Sequence, residues 1–307
     1  MKEILSFLKQ YFQVVDNKVL ALTTGFVALM VYLNYSLGIE SRFIAHPNFL
    51  FRFTAFALLY IFVFGLPYLL YAVSARQSIP TERFFYLLIA AAALIFAFKV
   101  SFTGVTIILN RQLDWPWNRY WSRFLHWPVK AVITSGLIWG LWKLGKYEKP
   151  VFGTGLKRLE LKPYFTLVII MIPLIALAGT QADFLHTYPK LKNIFFINEH
   201  VNSFLPSALL FELCYGMDFF TIEFFFRGFL ILAFVRYAGI NSILPMAAFY
   251  CAIHFGKPLG ECISSYFGEV LLGVVVYNTR SIWGGLIVHL GIAWLMEISG
   301  YIGRSLQ

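Results

Sequence analysis

The sequence predicts an all-α protein, a polytopic transmembrane helical bundle with roughly eight to ten spans. Three observations predict it. Hydrophobic residues make up 59% of the 307 positions and the mean hydropathy is +0.71, against about 45–50% apolar content in soluble domains. Only 13% of residues are charged, where a soluble chain carries about 25%. The net charge of +10 lies in short basic stretches between apolar runs, as in loops that face anionic lipid. That distribution makes the lipid bilayer the expected partner and argues against nucleic acid. The abundance of Phe (33) and Tyr (17) suits helix packing in lipid and interfacial belts.

The elements follow in order. Residues 1–15, MKEILSFLKQYFQVV, repeat Ile4, Leu5, Leu8, Tyr11, Phe12 and Val15 on one face, the pattern of an interfacial amphipathic helix. Charges interrupt this stretch and no small-residue cleavage site follows, which argues against a cleaved signal. A spanning helix needs about 20 mostly apolar residues. The stretches near 19–37, 53–74, 84–109, 129–144 and 164–180 provide them. Residues 204–298 are apolar but broken at RYAGINS, HFGKPLGE and NTRS, so they divide into about four more helices. Gly216 is a place where the first of these can bend.

Between the spans, LDWPWNRYWSRFLHWP (113–128) interleaves Trp and Arg. It reads as a segment at headgroup level or as an ordinary tryptophan-rich loop. KLGKYEKPVFGTGLKRLELK (143–162) is strongly basic and is the cytoplasmic candidate by the positive-inside rule. It is also the natural seam between an N-terminal membrane region, 1–163, and a C-terminal core, 164–300. Residues 180–203 are polar enough for a loop with a short helix. Cys214, Cys251 and Cys262 lack CxxC spacing and read as small buried hydrophobes. Lys99, inside an apolar helix, is expected to snorkel.

Four polar features of the C-terminal half stand at membrane depth. A charge at the centre of a spanning helix costs about 2.5–3.5 kcal/mol on insertion scales, so each needs a reason. Glu223 and Arg227 lie at i and i+4 in TIEFFFRGFL, spaced to pair on one helix face. The plain reading is an ion pair that locks helices together. His254 ends an apolar run before Gly256 and Pro258, and His289 shares a face with Gly285, Ala293 and Glu297. Either histidine alone is as well explained by packing. In PLGECISSYFGEVLLG, Gly260, Ser264 and Gly268 form a small-residue stripe suited to close helix approach. Glu261, Ser265 and Glu269 run beside it, and Glu269 is placed to brace a histidine or to hydrogen-bond another helix.

One Glu and two His from separate helices form a more specific set than any member alone. Such a trio can activate water and stabilise an oxyanion. Glu223, His254 and His289 can equally hold a single zinc ion with an open position, so the cofactor reading is none or one zinc. HExxH and GxSxG motifs do not occur, which sets aside zincin-type helices and that class of serine hydrolase.

At these residues the sequence resembles the CPBP family, the CAAX-protease and bacteriocin-processing (Abi) group of intramembrane endopeptidases. That family's pattern is EExxxR, FxxxH and HxxxN on separate helices. Here IEFFFRG (222–228), YCAIH (250–254) and HLGIA (289–293) match it in order and spacing, over roughly residues 164–298. The resemblance implies a hydrolase acting on a peptide or protein tail in the membrane, in a multi-pass protein of the bacterial inner (cell) membrane. It implies that Glu223 and His254 activate water, that His289 serves the oxyanion and that Arg227 orients the glutamate.

Three departures accompany it. The first Glu of the pair is Ile222, the terminal Asn is Ala293, and the Phe before the first histidine is Tyr250. Asp218, one turn before Ile222 on the same face, is the substitute base to consider, and Glu212 lies further along that helix. Loss of the Asn removes one oxyanion donor, typically about 10²–10³ in rate. The competing readings are a catalytically inactive member of the same fold, serving as a binding, immunity or export scaffold, and a small transporter. The transporter would show an inverted repeat of broken helices, which this sequence lacks.

Overall fold

The computed structural model describes residues 2–78, 80–156 and 160–306. Local chemistry starts and stops the first helices. After α1 (Lys2–Val14), Asp16 caps α2 (Asn17–Leu37) by accepting from Val19 N at 2.9 Å. Gly38 ends α2 at φ 63°, a left-handed conformation that costs a residue with a Cβ. Asn48 caps the helix that starts at Phe49 through Phe51 N at 3.1 Å. The remaining elements are α3 (Ile39–Ala45), α4 (Phe49–Ser74), α5 (Arg83–Ser101), α6 (Gly104–Gln112), α7 (Trp117–Ser122), α8 (His126–Leu144), α9 (Leu161–Ala178) and α10 (Ala182–Thr187). After a 3₁₀ stretch at Lys190–His200 come α11 (Leu205–Glu223), a π-helical segment Phe224–Ala233, α12 (Val235–Ala238), α13 (Ile243–Ala252), α14 (Leu259–Thr279) and α15 (Trp283–Ser305). No strand occurs among the described residues.

Among the described residues, six helices are long and apolar enough to cross a membrane: Asn17–Leu37, Phe49–Ser74, Arg83–Gln112, Leu161–Ala178, Leu259–Thr279 and Trp283–Ser305. The protein is an integral membrane protein with a polytopic helical bundle. The first half of the 204–298 region is divided differently from a row of full spans. It consists of α11, the π segment and the ten-residue α13.

The chain forms two compact units whose segments alternate along the sequence. The first comprises Met1–Ser101, Leu137–Arg158 and Phe224–Trp283. Its centre is aromatic: Tyr60 and Phe249 lie 4.7 Å apart, Phe96 and Phe226 5.2 Å, and Phe64 and Phe234 5.1 Å. In lipid, helix association comes from packing rather than from escape from water. Aromatic pairs of this kind contribute about 0.5–1.5 kcal/mol each.

The α1 helix packs on α14 in this unit. Its apolar residues are divided between two faces, with Ile4, Tyr11 and Val15 buried while Leu5 and Phe12 stay exposed. Arg52, which the sequence reading passed over, is buried and donates to the carbonyls of His46 (2.9 Å), Pro47 (3.3 Å) and Ser101 (3.0 Å). It ties the start of α4 to the end of α5. Lys99 is buried, with its ammonium 5.3 Å from the centre of the Phe96 ring. The snorkelling expectation is therefore corrected: this cation is directed into the unit. The Gly260, Ser264 and Gly268 stripe is exposed rather than packed on another helix.

The second unit comprises Phe102–Gly136, Leu159–Glu223 and Gly284–Gln307. Its core joins Tyr120 and Phe124 to Ile194, Ile197, Phe211, Cys214, Tyr215 and Ala293. The Trp/Arg-rich segment thus splits its roles: Trp115 and Trp117 are exposed, while Tyr120 and Phe124 anchor the core. Glu297 accepts from the backbone amides of Lys190 (2.7 Å) and Leu191 (3.0 Å). Its carboxylate therefore caps the 3₁₀ stretch in the polar 180–203 segment. Helix α9 leaves Phe165, Ile169, Ile170 and Leu174 exposed, as a lipid-facing helix does. The basic stretch 143–162 belongs partly outside the described residues, at 157–159.

Candidate functional site

In the second unit, α11 delivers Glu223 at its last residue and α15 delivers His289. The Glu223 side chain is fully buried, and its Oε1 is hydrogen-bonded to His289 Nδ1. With the glutamate ionised, Nδ1–H donates and the ring is fixed in orientation, which leaves Nε2 for another partner. Gly285, one turn before His289 on α15, lies against this carboxylate. A Cβ there would collide with the Glu223 oxygens. The Phe219 ring lies 6.1 Å from that of His289. A carboxylate, an imidazole, a bare helix surface and an aromatic wall thus form one buried arrangement.

Two of the three positions that depart from the CPBP pattern are apolar and buried in the same unit. Ile222 is 8% exposed and Ala293 is 3% exposed, the latter within the core around Phe211 and Tyr215. Asp218, the substitute base, is partly exposed on α11.

In the first unit, the π segment carries Arg227 and the residues after α13 carry His254. Arg227 and Glu269 of α14 are both buried and form a salt bridge. The segment from Phe224 onward is π-helical, with i→i+5 bonding in place of the α-helical ladder. Glu269, placed by sequence beside a histidine or another helix, meets the guanidinium across a helix pair.

The guanidinium also lies 5.0 Å from the centre of the Tyr250 ring. That ring stacks on the His254 imidazole at 4.7 Å and 30°. His254 Nδ1 is 3.0 Å from the Tyr250 carbonyl. A carbonyl oxygen can only accept, so Nδ1 carries the proton of this bond.

The loop after His254 is held from the N-terminal region. Asn34 of α2 donates from Nδ2 to the Phe255 carbonyl at 3.0 Å, and its Oδ1 accepts from Glu40 N at 2.9 Å. Tyr35 donates to the Lys257 carbonyl at 2.5 Å. No sequence motif marks Asn34, because its partner lies 221 positions away. Gly228, in the π segment, is a close-approach glycine of this unit: an added Cβ would stand 2.9 Å from the Phe152 carbonyl.

No group of three or more His, Cys, Asp or Glu side chains placed to hold a metal ion occurs among the described residues. The zinc alternative on Glu223, His254 and His289 finds no such ligand set, and no step is derived through a metal. The other histidines, read from sequence as loop residues, are mostly helical: His126 opens α8, His186 lies in α10 and His200 ends the 3₁₀ stretch. There His200 meets Trp115 edge-on at 4.6 Å, while His46 follows α3 and stacks near Phe51 at 4.0 Å.

No curated protein and no solved structure matches the chain. The stretch that carries Glu223, Arg227, His254 and His289 does have a counterpart: residues 199–295 match the family model described as type II CAAX prenyl endopeptidase Rce1-like, in agreement with the CPBP resemblance.

Proposed function

We propose that this chain is a membrane-embedded endopeptidase of the Rce1-like type, hydrolysing a peptide bond in a membrane-associated peptide or protein tail with activated water. The observation that carries the reading is the buried Glu223–His289 pair inside the matched segment 199–295. A fully buried carboxylate is costly unless its partner is specific, and an imidazole held by a carboxylate is a recurring unit of hydrolytic sites.

In this mechanism, His254 Nε2 takes a proton from water as the oxygen attacks the scissile carbonyl. His289, oriented by Glu223, donates from Nε2 to the developing oxyanion. The protonated His254 then returns its proton to the leaving amine. General acid–base assistance of this kind contributes about 10²–10⁴ in rate. Glu223 keeps the assignment of site carboxylate and Arg227 that of orienting charge. Asp218, one turn before Ile222 on α11, is the carboxylate in reserve should the site carboxylate not be Glu223. The protein would work as a multi-pass enzyme of a bacterial inner membrane, with residues 164–300 as the catalytic core and 1–163 as its membrane support.

A second reading is favoured by a specific observation. The positions where the pattern has a glutamate and an asparagine are the buried apolar Ile222 and Ala293. Under that reading the same fold binds a tail without cutting it. The two are separated by incubating the full chain in vesicles with tail peptides in ¹⁸O-labelled water. The hydrolase places one labelled oxygen in the new carboxyl terminus. Peptide binding without any cleavage would overturn the hydrolase in favour of the scaffold.

A further inference from the structure

We infer that Glu269 is a positioning residue for His254, acting through Arg227 and the Tyr250 ring. The inference builds on the proposed role of His254, although its test does not depend on activity. Four contacts carry it, all within the first unit. Glu269 and Arg227 form a buried ion pair in which Arg227 is 0% and Glu269 2% exposed. The Arg227 guanidinium lies over the Tyr250 ring at 5.0 Å. The Tyr250 ring stacks on His254 at 4.7 Å. The Tyr250 carbonyl engages His254 Nδ1 at 3.0 Å.

The chemistry runs in one direction. The buried Glu269 carboxylate binds the guanidinium through Nη2, and a charge-assisted pair of this kind fixes the direction of the planar group it holds. The planar cation lies over an aromatic face, where a compact ammonium would not stack in the same way. That places the ring, and Phe226 supports it edge-on at 4.8 Å. Tyr250 in turn touches the imidazole twice, by its ring and by its own carbonyl. Ring and carbonyl together hold the Nδ1–H tautomer and the direction of Nε2. The relevant property of Tyr250 is therefore its ring, not its hydroxyl. Glu269 reaches Arg227 from α14, 42 positions away in sequence.

The test is nitrogen NMR of the full chain in nanodiscs with labelled histidine. The chain has six histidines, and His254 is assigned by the resonance lost in His254→Gln. Glu269→Gln and Tyr250→Leu should each move the His254 ring nitrogens away from the Nδ1–H pattern, leaving His46, His126, His186 and His200 in place. Tyr250→Phe should leave the His254 pattern as in the wild type. An unmoved His254 in Glu269→Gln would overturn the inference, and so would a Tyr250→Phe shift as large as that of Tyr250→Leu.

If Glu269→Gln fails to fold, the double substitution Arg227→Met with Glu269→Met removes both charges at similar volume. It should still displace the His254 pattern, and an unchanged pattern there would equally overturn the inference. Where cleavage is measurable, Glu269→Gln should lower kcat by about tenfold or more with little change in KM, as outer partners of a site residue do elsewhere. Failure of the hydrolase reading would leave the NMR result standing, so the two outcomes are distinguishable.

Discussion

His289 and His254 are held in contrasting ways. His289 is fixed by a side chain: Nδ1 meets the buried Glu223 carboxylate, with Gly285 clearing the space. His254 is fixed by backbone and ring: Nδ1 meets the Tyr250 carbonyl and the imidazole stacks on Tyr250. A carboxylate brings a full charge to the ring it orients, whereas a carbonyl only selects a tautomer. The contrast teaches that two histidines in one matched segment can be oriented by different means, which is what the proposed division of duties between them requires.

The comparison breaks most sharply at the carboxylate. Glu223→Gln should lower cleavage by about 10²–10⁴, whereas Asp218→Asn should stay near wild type in the same vesicle assay. The reverse result would assign the site carboxylate to Asp218 instead. Next in size is Gly285→Ala. Its Cβ meets the Glu223 oxygens, an overpacking cost of about 1–3 kcal/mol, and it should disturb His289 by NMR while His254 keeps its pattern.

A smaller effect is expected on the other side of the comparison. Asn34→Ala leaves the Phe255 carbonyl and the Glu40 amide without this partner, a loss of about 1–3 kcal/mol. It should lower thermal stability and make the segment 253–258 exchange amide protons faster. The smallest expected effect is that of a chelator: metal removal from the purified chain should leave cleavage unchanged. A loss restored by zinc would assign the Glu and His residues to a metal.

Much of this was legible before any coordinates. Uniform hydrophobicity and sparse charge predict the helical membrane architecture because lipid leaves few other solutions for the backbone. Glu223, Arg227, His254 and His289 stand out because ionisable groups in apolar runs are expensive. The CPBP pattern was readable from 222–228, 250–254 and 289–293, and the family match covers the same segment.

The partners were the illegible part. The i, i+4 rule sees neighbours on one α-helix and is silent about partners on another. It had no way to anticipate a π segment or Glu269 on another helix. Asn34 and Arg52 looked like ordinary helix residues, since what they hold is backbone from distant segments. Lys99 obeyed a general rule for long cations until packing overruled it. Tertiary contacts between separated segments carry no local periodicity, which is why charge position was readable and charge pairing was not.

The central claim is that His254 and the Glu223–His289 pair perform hydrolysis together. It is tested most directly by comparing cleavage of a membrane-associated tail by the wild-type chain, His254→Ala and Glu223→Ala at equal membrane insertion. The account predicts cleavage by the wild type and loss in both variants. Equal cleavage in all three would contradict it.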